Sequence, residues 1–166
     1  HKYQGNVSST ILLEDVEYIE VRGLELTNDR QEGDDDVKAY NDFNVMDRTG
    51  VAGVAQNKGT INHIVLDDLY VHDVDGNVYN KHMANGGIYF IVEKPDNESA
   101  TGISKFDDLV IENCRVETTN RWGIAAAYTY AWAQLNSAHL NEAALEKYAS
   151  SNVTIQNNYI KAAGGD

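Results

Sequence analysis

Apolar residues recur along this chain at i, i+2, i+5 and i+7, and they do so four times. The sets are Ile19, Val21, Leu24, Leu26; Ile64, Leu66, Leu69, Val71; Leu109, Ile111, Cys114, Val116; and Val153, Ile155, Asn158, Ile160. Their first members lie 45, 45 and 44 residues apart. Alternation, a two-residue break, then alternation again describes two short strands joined by a tight bend, with the same face turned inward on both. Each break holds Asn, Asp or Gly: Arg22-Gly23, Asp67-Asp68, Glu112-Asn113, Gln156-Asn157. These residues tolerate turn dihedrals and hydrogen-bond their own backbone. A third, weaker apolar run follows most pairs and is usually opened by glycine, as in Gly50-Val51-Ala52-Gly53-Val54, Gly87-Ile88-Tyr89-Phe90 and Gly123-Ile124-Ala125-Ala126. The unit is therefore three strands per repeat. A helical repeat of the same length would space its apolar residues by three and four, and these segments are too rich in Val, Ile, Asn and Asp for it.

Three short strands per turn, stacked at about 4.8 Å, predict an all-β fold, a right-handed parallel β-helix of about four coils. Asn158 puts a polar residue at an inward position, which a stacked asparagine ladder accommodates. A bare coil needs far fewer than 45 residues, so each repeat carries a long loop, and loops on one face are where a solenoid binds things. The longest, 128–151, contains a short helical pattern, LNEAALEKYA, with Leu140, Ala144, Leu145 and Tyr148 on one side. It reads equally as a lid over the neighbouring coil and as a wall of a groove. Four coils stack to only roughly 19 Å, and neither end carries a polar cap. The last residues, Gly164-Gly165-Asp166, stand where the third strand of their coil should begin. The expectation is that residues 1–166 form one β-helix segment completed by downstream sequence or by a second chain.

Charge narrows the partners. With 26 acidic against 13 basic residues the formal net charge is −13, which disfavours nucleic acid and anionic membrane surfaces. The same excess weighs against polyanionic sugars, whose binders need a basic groove, so neutral ligands fit better. No run approaches the ~18 apolar residues of a membrane span, and the opening HKYQGNVSST lacks the basic and apolar regions of a signal peptide. The one cysteine, Cys114, falls at an apolar strand position and reads as a small buried hydrophobe.

Polar chemistry gathers between the second strand pair and its glycine-opened successor. His72, Asp73, Asp75, Asn77, Tyr79, Lys81, His82 and Asn85 lie within fourteen residues, just before Tyr89. Asp73-x-Asp75-x-Asn77 imitates the opening of an EF-hand loop. Val78 stands where that loop needs glycine, however, and Ala84 where it needs glutamate, so only a different oxygen-ligand calcium site stays open. Asp73 and Asp75 share side-chain parity on an extended segment and are candidates for general acid–base work, with Lys81 or His72 orienting a sugar hydroxyl. The third reading is a tight turn of Asp, Asn and Gly with solvated flanks. Trp122 and Tyr128, with Tyr130 and Trp132, are candidates for apolar platforms under sugar rings, or for anchors of a long loop. Asp166 follows its glycine pair as Ile88 follows Gly86-Gly87, at the entry of a groove-side strand.

The segment HDVDGNVYNKHMANGGIYF, strand pairs such as DDLVIENCRV, and the terminal YIKAAGGD together resemble right-handed β-helix carbohydrate-active enzymes, most closely the bacterial lacto-N-biosidases of the β-helix type. The likeness covers most of the chain at fold level and residues 72–90 and the last eight at family level. It implies an extracellular or cell-surface glycosidase that releases a disaccharide from milk-type or mucin-type oligosaccharides with retention of configuration. It also implies two aspartates close together: Asp166 resembles the acid/base, and the nucleophile would follow just beyond it. Two other readings stay open. One is a uronate lyase with Lys81 as base and calcium at Asp73 and Asp75; the other is a non-catalytic β-helix that only binds glycans.

Overall fold

In the computed structural model the repeat becomes three four-stranded parallel sheets. The structure describes residues 7–29, 47–76 and 85–164. Sheet I holds β1 (Val7–Glu14), β4 (Asp47–Ala55), β7 (Gly86–Val92) and β10 (Trp122–Thr129). Sheet II holds β2 (Ile19–Arg22), β5 (Thr60–Asp67), β8 (Lys105–Glu112) and β11 (Ser151–Gln156). Sheet III holds β3 (Glu25–Asn28), β6 (Tyr70–Val74), β9 (Arg115–Thr119) and β12 (Tyr159–Ala163). Consecutive strands always enter different sheets, and each strand pairs with the one a full repeat away. The result is a solenoid-like stack of four three-strand repeats.

Register follows the apolar columns of the sequence. Ile19 pairs with Ile64, which pairs with Leu109, which pairs with Val153; Leu26, Val71, Val116 and Ile160 form a second column. In the two middle repeats these positions are fully buried, joined by Phe90 and Phe106 edge-to-face at 5.3 Å. In the last repeat the same columns are open: Val153 is 36% exposed, Ile155 48% and Ile160 48%, because β11 and β12 are the last strands of their sheets. Cys114 is buried and free.

The bend between sheets II and III is two residues long in every repeat. Its left-handed residues are Gly23, Asp68, Asn113 and Asn157, with φ of 64°, 54°, 54° and 55°. Only Gly, Asn and Asp adopt this conformation cheaply, which is why the breaks carry them. Asn158 departs from the expected ladder. Its Oδ1 accepts from Cys114 N at 2.8 Å and its Nδ2 donates to Ile111 O at 2.9 Å, so the amide closes the backbone at the bend of the preceding repeat. Backbone groups left unpaired by a bend are stronger partners for an amide than a distant asparagine.

Sheet I departs most from its sequence pattern. Its strands read as the weak runs, yet β4 and β7 are buried at every position. The opening glycines have a steric cause. A Cβ on Gly50 would lie 2.3 Å from Val71 Cγ1, on Gly87 2.4 Å from Val116 Cγ1, and on Gly123 2.5 Å from Ile160 Cγ2. The inward side chain of sheet III occupies that space in each repeat. Variable connections fall at both ends of sheet I, while the bend between sheets II and III never varies. Two helices, α2 (Trp132–Ser137) and α3 (Glu142–Tyr148), occupy the connection after β10, beyond a shorter α1 (Glu98–Thr101) after β7. Of the apolar side expected for α3, Ala144 is buried, but Leu140 and Leu145 are exposed at 58% and 41%. Asn141 caps α3 by accepting from Ala144 N at 2.9 Å.

Candidate functional site

The outward face of sheet I collects the aromatic candidates. Ala52, Tyr89 and Ala125 stand in one register column; Val54, Ile91 and Tyr128 form the next, the last through an irregularity in β10 between Ala125 and Tyr128. Val54, Tyr89 and Ile91 make a second apolar cluster, separate from the core, with Trp122 and Ala125 packed against it. The Arg121 guanidinium lies 4.9 Å over the Trp122 ring, within cation–π range. Tyr89 is 7% exposed and its phenol is pushed up to about 12 by burial; Tyr128 is 47% exposed. Tyr89, Trp122 and Tyr128, spread through the sequence, thus share one surface with a buried polar rim.

The rim is a polar corner where sheet III hands the chain to sheet I. Asn28 Nδ2 donates to Ser8 O and Thr49 O, each at 2.9 Å, and its Oδ1 accepts from Arg48 Nη1 at 3.1 Å. One repeat on, Asp75 accepts from Asn120 Nδ2, which also donates to Gly76 O at 3.0 Å. Asn85 is fully buried, and its carbonyl O accepts from Trp122 N at 3.3 Å. Asp47 is 3% exposed, and burial pushes its carboxyl up to about 7 against the pull of Arg121. Glu93, at the far end of β7, is also buried and raised by burial.

His72 and Asp73 lie elsewhere, on the outward face of sheet III. His72 Nδ1 meets Asp73 Oδ2 at 2.7 Å and Nε2 meets Glu25 Oε1 at 2.9 Å, while its ring stacks on Tyr70 at 4.2 Å. Arg115 lies 4.9 Å over Tyr70 and 6.0 Å from the Tyr159 ring, and pairs with Glu117 at 3.0 Å. This is a ladder that ties repeats together.

The shared cleft expected for Asp73 and Asp75 fails at the backbone. Asp73 has φ 49°, which breaks the extended alternation, so its exposed carboxylate turns to His72 while Asp75 engages Asn120 at the corner. The kink recurs at Thr118 (51°) and Ala162 (53°), and is therefore a property of the repeat. Among the described residues no three His, Cys, Asp or Glu side chains gather to hold a metal ion. Asn77, Lys81 and Asp166 lie outside the described residues, as do Tyr79 and His82.

Asp47 and Arg121 escape a reading that begins the strands of sheet I at their glycines. A signal was present: Arg48, Asn85 and Arg121 keep the spacing of Gly50, Gly87 and Gly123, 37 and 36 residues, two positions earlier. Extending the repeat by two residues finds the polar column; Glu93, past the other end of β7, carries no such signal.

The described residues thus form a parallel solenoid-like stack with an aromatic face and a polar rim. No protein-family model matches the chain. It is homologous to a segment of a lacto-N-biosidase of Bifidobacterium longum subsp. longum, at 45% identity over 192 residues that take in 100% of this chain and 12% of that protein. Two crystal structures of the GH136 lacto-N-biosidase from Eubacterium ramulus, native and selenomethionine, match 96% of the chain at 43% identity with a TM-score of 0.88. The chain spans 25% of those solved chains. Neither the lyase nor the binding-module reading gains support from these relatives.

Proposed function

We propose that this chain is part of a retaining glycoside hydrolase of the lacto-N-biosidase type, acting on neutral oligosaccharides of milk or mucin glycan type. The observation that carries the reading is the 45% identity running through the whole chain, backed by the match of its three-sheet stack to the solved lacto-N-biosidases. The coiling is read as a right-handed parallel β-helix; three strands per repeat, each in its own parallel sheet, support it. Tyr89, Trp122 and Tyr128 supply faces for sugar rings, and the acidic excess suits an uncharged ligand.

Asp166 is the proposed acid/base, with its nucleophilic partner about 5 Å away on downstream sequence or a second chain, as retention of configuration requires. The open columns Val153, Ile155 and Ile160 support further strands stacking on β11 and β12. The proposed location is outside the bacterial cell or on its surface.

The test is hydrolysis of lacto-N-tetraose by the full protein that carries this segment, with and without Asp166→Asn. Release of lacto-N-biose that falls at least about a hundredfold in the variant supports the reading. Unsaturated ends raised on a uronate polymer, with lacto-N-tetraose intact, would overturn it.

A further inference from the structure

A buried carboxyl without an assigned task stands at the edge of the aromatic face. Asp47 opens β4, is 3% exposed, and its Oδ1 has no hydrogen-bond partner among the described residues. The titratable and charged groups near it are Arg48 on its own strand, Tyr89 on β7 and Arg121 just before β10; Glu93 lies past the far end of β7, opposite the other end of β4. Of these, Arg121 is the cation whose charge reaches Asp47, and Arg121 itself lies over Trp122. One cation beside a desolvated carboxyl offsets only part of the cost of ionising it.

We propose that Asp47 is a sugar-binding residue of the sheet I face, acting as an un-ionised carboxylic acid that donates a hydrogen bond to an acceptor oxygen of the sugar held against Trp122. A protonated carboxyl carries an O–H donor, whereas the carboxylate is acceptor-only. A sugar hydroxyl oxygen therefore loses its donor when Asp47 ionises. Burial keeps the acid form populated up to about neutrality, where the Asp47 carboxyl titrates. The proposal rests on the glycosidase reading for the identity of the sugar alone.

Calorimetric binding of lacto-N-biose to the full protein between pH 6 and 8.5 tests it, with Asp47→Asn and Asp47→Val as variants and the Tm of each recorded. The parent's Kd should rise about tenfold or more across that range, following loss of the acid form. Asp47→Asn keeps an N–H donor and cannot ionise, so its Kd should vary less than about twofold. Asp47→Val should bind at least about tenfold more weakly at pH 6 while still showing a cooperative melt. A parent Kd that is flat with pH, or an Asp47→Asn curve that keeps the parent's rise, overturns the proposal. So does an Asp47→Val variant that shifts Tm and leaves Kd alone. Binding with the expected pH dependence but no hydrolysis would sink the enzyme reading and keep Asp47; hydrolysis with a flat Kd would do the reverse.

Discussion

Sheets I and III come from the same repeat and share the same core, yet their outward faces are opposites. Outside sheet I lie Tyr89, Ile91 and Val54, buried, with Asp47 and Arg121 buried at one edge. Outside sheet III runs an open ladder: Glu25, His72 and Asp73, then Tyr70, Arg115, Glu117 and Tyr159. Their connections explain the difference. Sheet III is entered by an invariant two-residue bend, and among the described residues its outer side chains pair with each other. Sheet I is bounded by variable connections at both ends, and a face that is bounded can desolvate its polar groups. Binding and proton chemistry need desolvated groups; holding a stack together needs only ladders.

The largest effect should come from emptying the outward side of sheet I. Ile91→Ala should cost about 2–4 kcal/mol in denaturant unfolding, because Ile91 is 6% exposed. Glu117→Ala, outward on sheet III, should shift the denaturation midpoint far less, because exposed ion pairs contribute little. Equal costs would erase the distinction between the two faces.

Next comes the pH dependence of Asp47. Its folded-state carboxyl titrates near 7, well above an ordinary aspartate, so its contribution is fully present below about pH 4 and is lost as pH rises towards 7. Asp47→Asn should therefore stabilise the protein above neutrality, by on the order of 2 kcal/mol at pH 8. A variant less stable than the parent at pH 8 would mean that the carboxylate is well paired after all.

A smaller gain is expected on sheet III. Thr118 is β-branched, exposed and left-handed at φ 51°. Thr118→Gly should stabilise by about 0.5–1 kcal/mol, the relief of strain exceeding the added entropy of the unfolded chain. Loss of stability would show that the Thr118 side chain makes a compensating contact.

The smallest effect concerns the exposed histidine bridges. His63 joins Glu20 and Asp108 at 2.9 and 2.7 Å, and His72 joins Glu25 and Asp73 at 2.9 and 2.7 Å. With a carboxylate at each ring nitrogen only the imidazolium donates twice, so both histidines titrate above their usual value, chiefly through Asp108 and Asp73. Their contribution is present below about pH 6.5 and is lost as pH rises through the raised value. The double variant His63→Gln, His72→Gln should lower Tm slightly at pH 6 and leave it unchanged at pH 9. A drop at both pH values would assign the histidines a packing role.

Much of the fold was legible because a repeat states its register many times. Gly23, Asp68, Asn113 and Asn157 mark one bend at one spacing, and the columns from Ile19 to Val153 and from Leu26 to Ile160 follow from it. The candidate surface was legible in part. Trp122, Tyr89 and Tyr128 were found as aromatic residues near glycine-opened strands, and the structure sets them on one surface. The pairing of Asp73 with Asp75 was not legible correctly, since parity assumes an extended chain and a single left-handed residue reverses it.

By itself the sequence determined the period, the bends and the inward columns, because these depend on local dihedrals and on spacing along the chain. Only the tertiary structure decided that the weakest-looking runs, β4 and β7, are the most buried, that Ala52, Tyr89 and Ala125 share a column, and that Asp47 is desolvated near Arg121. Burial of an outward face depends on what folding brings close to it. That is a distance in space, and no spacing along the chain encodes it.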